Sequence, residues 1–167
     1  SRQVKHANIG VSAISCSSPG VAGCTAQIID NSRADRSWIT SDGPHVWISY
    51  HDSGNSGMIS VQRSDDDGST WRKVRSPIVG QAQITGNSTF NNLHGPIVAD
   101  PFSHNVYNVH TAGETGIIKG RGDNVGQPGP PGALYNNVYV SRSTNGGDSW
   151  TANLVASFPL GTHLVDI

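Results

Sequence analysis

Two dipeptides, Asp35-Arg36 and His51-Asp52, carry the functional groups best suited to hold and rework a polar ligand. A guanidinium presents a fixed fork of donors that matches a carboxylate, so Arg36 with a carboxylate nearby can bind an acidic substrate or polarise a reacting centre. The competing reading is an Arg36–Asp35 pair at the surface or between neighbouring sheets. His51 and Asp52 can transfer protons to a substrate within hydrogen-bonding reach. The plainer alternative is a solvated turn, which suits His51 better than Asp52. Farther along, Glu114 offers a carboxylate and Arg121 a cation in a polar stretch that also holds Lys119 and Asp123. For Glu114, as for His94 and His110, ordinary structural or solvent-exposed roles are the alternative.

Other chemical signals are weaker. Cys16 and Cys24 lie eight positions apart in a Ser/Gly/Pro-rich segment and are expected to close a small loop as a disulfide in an oxidising compartment, the alternative being two unpaired thiols. No second Cys/His pair stands at ligand spacing, so no metal site and no cofactor are expected. Asn87-Ser88-Thr89 fits a glycosylation sequon and Arg121-Gly122-Asp123 an integrin-binding tripeptide, but both patterns are short enough to arise by chance.

Composition limits the scaffold that can position these groups. The 167 residues are 35% hydrophobic and only 14% charged, which excludes a highly charged disordered tail and allows a buried core. Twenty glycines and nine prolines, with abundant Val, Ile, Thr and Ser, favour short strands joined by specific turns. An all-β fold follows. A net charge of −1 gives little support for phosphate binding, so nucleic acid is not an expected partner. No apolar run approaches the roughly 20 residues that cross a bilayer, so no membrane span is expected.

An internal repeat organises the chain. Ser64-Asp65-Asp66-Asp67-Gly68-Ser69-Thr70-Trp71 returns 79 residues later as Ser143-Thr144-Asn145-Gly146-Gly147-Asp148-Ser149-Trp150. Asp66 or Asn145 can accept backbone N–H bonds, Gly68 or Gly147 can take a positive φ, and Trp71 or Trp150 is expected to pack inward. Ser64, Thr70, Ser143 and Ser149 complete the shared pattern. A calcium loop is excluded, because that register would put Arg63 and Val74 at ligand positions. Around each turn four short strands are expected: 38–40, 45–50, 58–63 and 71–75, then 96–99, 106–110, 137–142 and 150–156.

These turns resemble the Asp boxes of the sialidase superfamily and related BNR-repeat β-propellers, over about residues 35–157. The resemblance implies a β-propeller of four-stranded antiparallel blades, with about two complete blades here, at 35–76 and 94–157, inside one partial domain spanning 1–167. Propellers have about four to eight blades, so the rest of the ring is expected from outside this chain. Residues 1–30 are expected to hold an outer strand of a preceding blade and 163–167 to begin a following one. The implied function is an extracellular sialidase-like glycoside hydrolase acting on glycans, possible substrates being sialosides. The alternative is a noncatalytic glycan- or protein-binding propeller, since such boxes also occur in receptors and assembly factors. A purely structural module is a third reading. The Phe-Arg-Ile-Pro start of many sialidases is absent, and Asp35-Arg36-Ser37-Trp38 stands in a comparable place.

In such a blade the box shares one end with the turn between strands one and two, and ligands bind at the opposite end. That geometry nominates Arg36 and Asp52 as catalytic, with Asp35, His51, Glu114 and Arg121 as substrate-binding. Aligning Asp42 with Asp100 gives an offset of 58 against 79 for the boxes, an expected insertion of 21 residues between strands two and three of the second unit, near 112–134. Long loops on rigid scaffolds often carry ligand contacts. Its Gly126–Gly132 stretch is too short for a collagen helix and reads as a stiffened loop.

Overall fold

The computed structural model describes residues 11–16, 24–31, 34–52, 58–79, 95–112 and 137–159, and every regular element among them is a β-strand. The strands are β1 (Val11–Cys16), β2 (Cys24–Asp30), β3 (Ala34–Asp42), β4 (His45–Asp52), β5 (Met58–Ser64), β6 (Arg72–Lys73), β7 (Ile97–Ala99), β8 (Val106–Ala112), β9 (Asn137–Ser143) and β10 (Thr151–Ser157). They form two four-stranded antiparallel sheets in sequence order, β3 to β6 and β7 to β10, and a separate antiparallel pair β1–β2. Each expected repeat is thus one sheet. The fourth strand of the first is short, reduced to Arg72–Lys73.

Register makes the repeat quantitative. Val46 pairs with Ser64, and Val106 pairs with Ser143, so these pairs occupy the same place in the two sheets. Five residues, 53–57, join β4 to β5, whereas 24 residues, 113–136, join β8 to β9. That accounts for 19 of the 21 extra residues. The other two lie in the β7–β8 turn: Asp100 N donates to Asn105 O at 2.9 Å across four residues, where Asp42 opposite His45 spans only Gly43-Pro44. An offset read from the first turn alone therefore overstates the long loop by two residues.

Alternation along β4 and β5 sends side chains to both faces of the first sheet, and both are covered. On one face Trp47, Val61 and Val74 pack with Ile97, Ala99, Val106 and Trp150 of the second unit, and Ile59 and Ile78 pack with Tyr139. Burying each such side chain contributes about 1.5–3 kcal/mol. On the other face Ile48 and Tyr50 meet Ile29 of β2 and Trp71. The N-terminal stretch thus supplies a paired ribbon, β1–β2, on this face. Cys16 and Cys24 are opposed partners in that ribbon. Directly opposed Cα atoms lie about 4.5–5.5 Å apart, inside the range a disulfide spans.

Candidate functional site

The two Trp-terminated turns close by the same bonds. Ser64 Oγ accepts from Gly68 N at 2.8 Å and donates to Asp66 Oδ1 at 2.8 Å. Asp66 in turn accepts from Thr70 N and Thr70 Oγ1, both at 2.7 Å. In the second turn Ser143 Oγ accepts from Gly147 N at 2.7 Å, and Asn145 Oδ1 accepts from Ser149 N at 2.9 Å. One bond reverses, because Asn145 Nδ2 donates to Ser149 Oγ where Asp66 accepts from Thr70. The N–H of Thr70, then the hydroxyls of Thr70 and Ser64, hold the Asp66 carboxyl below the usual carboxylate range.

The second turn is also gripped by the first sheet. Trp47 Nε1 donates to Gly146 O at 2.9 Å, and Arg63 Nη1 reaches the same oxygen at 3.3 Å while its guanidinium lies 5.6 Å from the Trp47 ring. Arg75 N donates to Gly147 O at 3.1 Å, Trp150 Nε1 donates to Arg75 O at 2.9 Å, and Arg72 forms a forked pair with Asp148. Gly146 sits at φ 69°, and a Cβ there would lie 1.7 Å from Arg63 Nη1. Only glycine gives the arginine room. The matching residue of the first turn is Asp67, at φ 57°. Trp71, half-buried, donates instead to Gly68 O of its own turn, whereas Trp150 is buried between the sheets.

Beside these turns lies an open cleft of about 580 Å³ lined by Asp42, His45, Trp47, Arg63, His104 and Asn145 among others. Its charges answer one another. Arg63 and His45 both engage Asp65, and His104 Nδ1 lies 2.5 Å from Asp42 Oδ2. The hydrogen bond to Asp42 raises the His104 pKa above the ordinary histidine value. Of these pairs His104–Asp42 joins the two sheets, whereas those of Arg63 and His45 with Asp65 lie within the first. Sequence reading passed over Arg63; the signal was an arginine immediately before each turn, with Arg142 in the second.

At the opposite end β4 and β8 finish, β3, β5, β7 and β9 begin, and the segments 53–57 and 113–136 attach. Asp35, Arg36, His51 and Asp52 are all there, since Ala34 pairs with Asp52 and Asp35 with His51. Arg36 and Ser37 face a single residue of β4 in a β-bulge, with Arg36 held at φ 54°. A left-handed conformation costs a non-glycine residue about 1–2 kcal/mol. The side chain of Asp35 lies outside the described residues, as do Glu114, Lys119, Arg121, Asp123, His94, Asn87 and 163–167.

One expectation needs correction. His51 is buried rather than part of a solvated turn, because its position on β4 turns it toward the second sheet, on the face of Trp47 and Ser49. Asp52 is 1% exposed and points to the β2 side, where Ser60 Oγ donates to it at 2.8 Å and Lys73 Nζ lies 3.3 Å away. The same layer contains Tyr50, which donates to Asp30, and Gln62 Nε2, 3.2 Å from the phenol oxygen. Burial, then the bond to Asp30, pushes the Tyr50 pKa well above the ordinary phenol value, so it remains a donor. This layer binds β2 to the sheet. Among the described residues no group of His, Cys, Asp and Glu is placed to hold a metal, and no helix is long and apolar enough to cross a membrane.

No protein-family model matches this chain, and no curated protein matches it.

The grip on Gly146 leads to an asymmetric expectation. Gly146→Asp, which copies the first turn into the second, moves the flexible end of Arg63 off Gly146 O and lowers stability by about 1 kcal/mol, whereas Asp67→Gly is neutral or stabilising by up to about 1 kcal/mol. Denaturant unfolding of the two variants measures this. Acid separates the turns differently. A depressed folded-state pKa means that the Asp66 contribution is full above the ordinary carboxylate value, about 3.9, and is lost as pH falls through the lower folded value. The protection of the Thr70 amide relative to its intrinsic exchange rate therefore falls on acidification before that of Ser149, and Asp66→Asn removes the difference.

Proposed function

We propose that these sheets are two blades of a sialidase-like Asp-box β-propeller whose loop-bearing end recognises glycans, with Arg36 gripping an acidic sugar. The observation that carries this reading is Arg36 itself. A bulky cation in a conformation that favours glycine, at the strand end opposite the turns, is strain of the kind that persists where a side chain must be aimed. The turn end supports the same division of labour, since Arg63, His45, Asp65, Arg72 and Asp148 there are paired with one another.

Stacking supports the propeller. The face of the first sheet that meets the second presents Trp47, Ser49, His51, Ile59, Val61 and Arg63, and the matching residues of β8 and β9 are Tyr107, Val109, Thr111, Val138, Val140 and Arg142. These project from the outer face of the second sheet, where Thr111 is buried, Tyr107, Val109, Val138 and Val140 are half-buried and neighbouring Val98 is 58% exposed. Arg142 stands where Arg63 stands, exposed and one residue before its turn. A head-to-tail contact of this kind can repeat, and it gives a ring when its rotation closes. The occupant of that face is another four-stranded sheet with a Trp-terminated turn.

Hydrolysis is the second reading, favoured by the same strained arginine. It needs an acid other than Asp52, whose carboxylate is committed to Ser60 and Lys73. The opposed Cys16–Cys24 pair supports a secreted setting.

Two measurements test this reading. Arg36→Gly relieves backbone strain and raises stability by about 1 kcal/mol, while Arg36→Ala keeps the strain; both lower affinity for sialosides at least tenfold by calorimetric titration on the closed propeller. Unchanged affinity in both variants overturns the assignment of Arg36. For stacking, the isolated 167-residue chain self-associates in sedimentation velocity through the outer face of its second sheet, and the Val98→Lys, Val140→Lys double variant is monomeric.

A further inference from the structure

Between the sheets, toward the loop-bearing end, two buried polar atoms have no partner: His110 Nε2 and Asn137 Oδ1. Both residues belong to the face of the second sheet that packs on the first. His110 is opposite Tyr139 in the β8–β9 ladder, and Asn137 is two positions from Tyr139 on the same face, hence diagonal to His110. The histidine ring stacks on Tyr139 at 5.8 Å and is fully buried, and Asn137 is 3% exposed. The equivalent position to His110 in the first sheet is Tyr50, whose hydroxyl is satisfied by Asp30 and Gln62.

The hydrogen-bond pattern fixes the character of the histidine atom. Asn108 Nδ2 gives its two hydrogens to Gly95 O at 2.9 Å and Pro96 O at 3.2 Å; the opposite amide orientation would set Oδ1 against two carbonyl oxygens. Asn108 Oδ1 therefore faces His110 Nδ1 at 3.2 Å as an acceptor, and Nδ1 carries the ring proton. Nε2 is left as a bare lone pair. Burial lowers the His110 pKa to about 3, so the ring stays neutral and does not become a second donor at ordinary pH. Asn137 Oδ1 is likewise an acceptor. A buried acceptor without a donor keeps the cost of its lost hydration.

We propose that His110 Nε2 and Asn137 Oδ1 form an internal binding site for one resident water molecule, which donates a hydrogen to each. Water is the smallest molecule with two donors, and polar interior sites of this kind hold conserved, slowly exchanging water. The site stands independently of the glycan reading. Its bridge ties the end of β8 to the start of β9, the two strand ends that carry the 113–136 segment, and so fixes the base of that loop.

The test combines a structure with a mutant cycle on the whole chain. A crystal structure that resolves ordered water is expected to show one density within hydrogen-bonding distance of both atoms. An empty site, a metal identified by anomalous scattering, or a protein donor on either atom overturns the proposal. With water present, His110→Phe and Asn137→Leu each lower the folding equilibrium constant about tenfold, and the double variant loses less than the product because the water leaves with the first partner. Without it, either replacement raises the constant and the two effects multiply. Where a variant does not fold, the crystal structure of the unaltered chain decides. Long-range proton–nitrogen correlation spectra provide an independent check: a proton on Nδ1 is expected, and one on Nε2 overturns the assignment.

Discussion

One carbonyl oxygen organises the junction between the sheets. Gly146 O accepts from an indole and a guanidinium that both come from the first sheet, and the apolar contact of Trp47, Val61, Val106 and Trp150 lies beside that bond. Hydrophobic burial alone is non-directional and would let two flat sheets slide over one another. The bonds to Gly146 and Gly147 remove that freedom, because a turn carbonyl has a place and a direction. Arg72 on Asp148 and Thr40 on Ala99 N hold further points of the same interface.

That constraint explains why two turns with one internal bonding scheme differ in sequence. The first has Asp66 and Asp67 where the second has Asn145 and Gly146. Inside each turn the serine hydroxyl and the carbonyl-type oxygen two residues later do the same work, so Asp and Asn exchange freely. Glycine at 146 answers to the neighbouring sheet, through the space that Arg63 needs. Asp67 can keep its side chain because it faces no such arginine among the described contacts.

Polar groups away from the turns divide in a related way. The layer of Asp30, Tyr50, Gln62, Asp52, Ser60 and Lys73 fastens the β1–β2 ribbon to the first sheet, and its members satisfy one another. On the second sheet, His110 and Asn137 retain unused acceptors. The two ends of the sheets thus carry different chemistry. Ion pairs of Arg63, His45, Asp65, Arg72, Asp148, His104 and Asp42 lie where the turns are, while a strained arginine and two acceptors without a partner occur toward the end where the long connection attaches.

Local patterning determined the strands, their order and the two turns, because alternation of apolar residues and the Ser-x-Asp/Asn-x-Gly-x-Ser/Thr-Trp spacing act over a few neighbouring residues. The chain also revealed a long second connection through its interrupted repeat. Its exact share depended on register, which no single anchor such as Asp42 or Asp100 can define. Tertiary structure alone decided which face of β4 each residue occupies relative to its neighbours. It therefore buried His51 against one sheet and Asp52 under β2, although both are polar residues at a strand end. It also bent Arg36 into a bulge and left His110 without a donor. Strand formation is a property of the segment, whereas burial and pairing of a polar side chain depend on what another segment places opposite it.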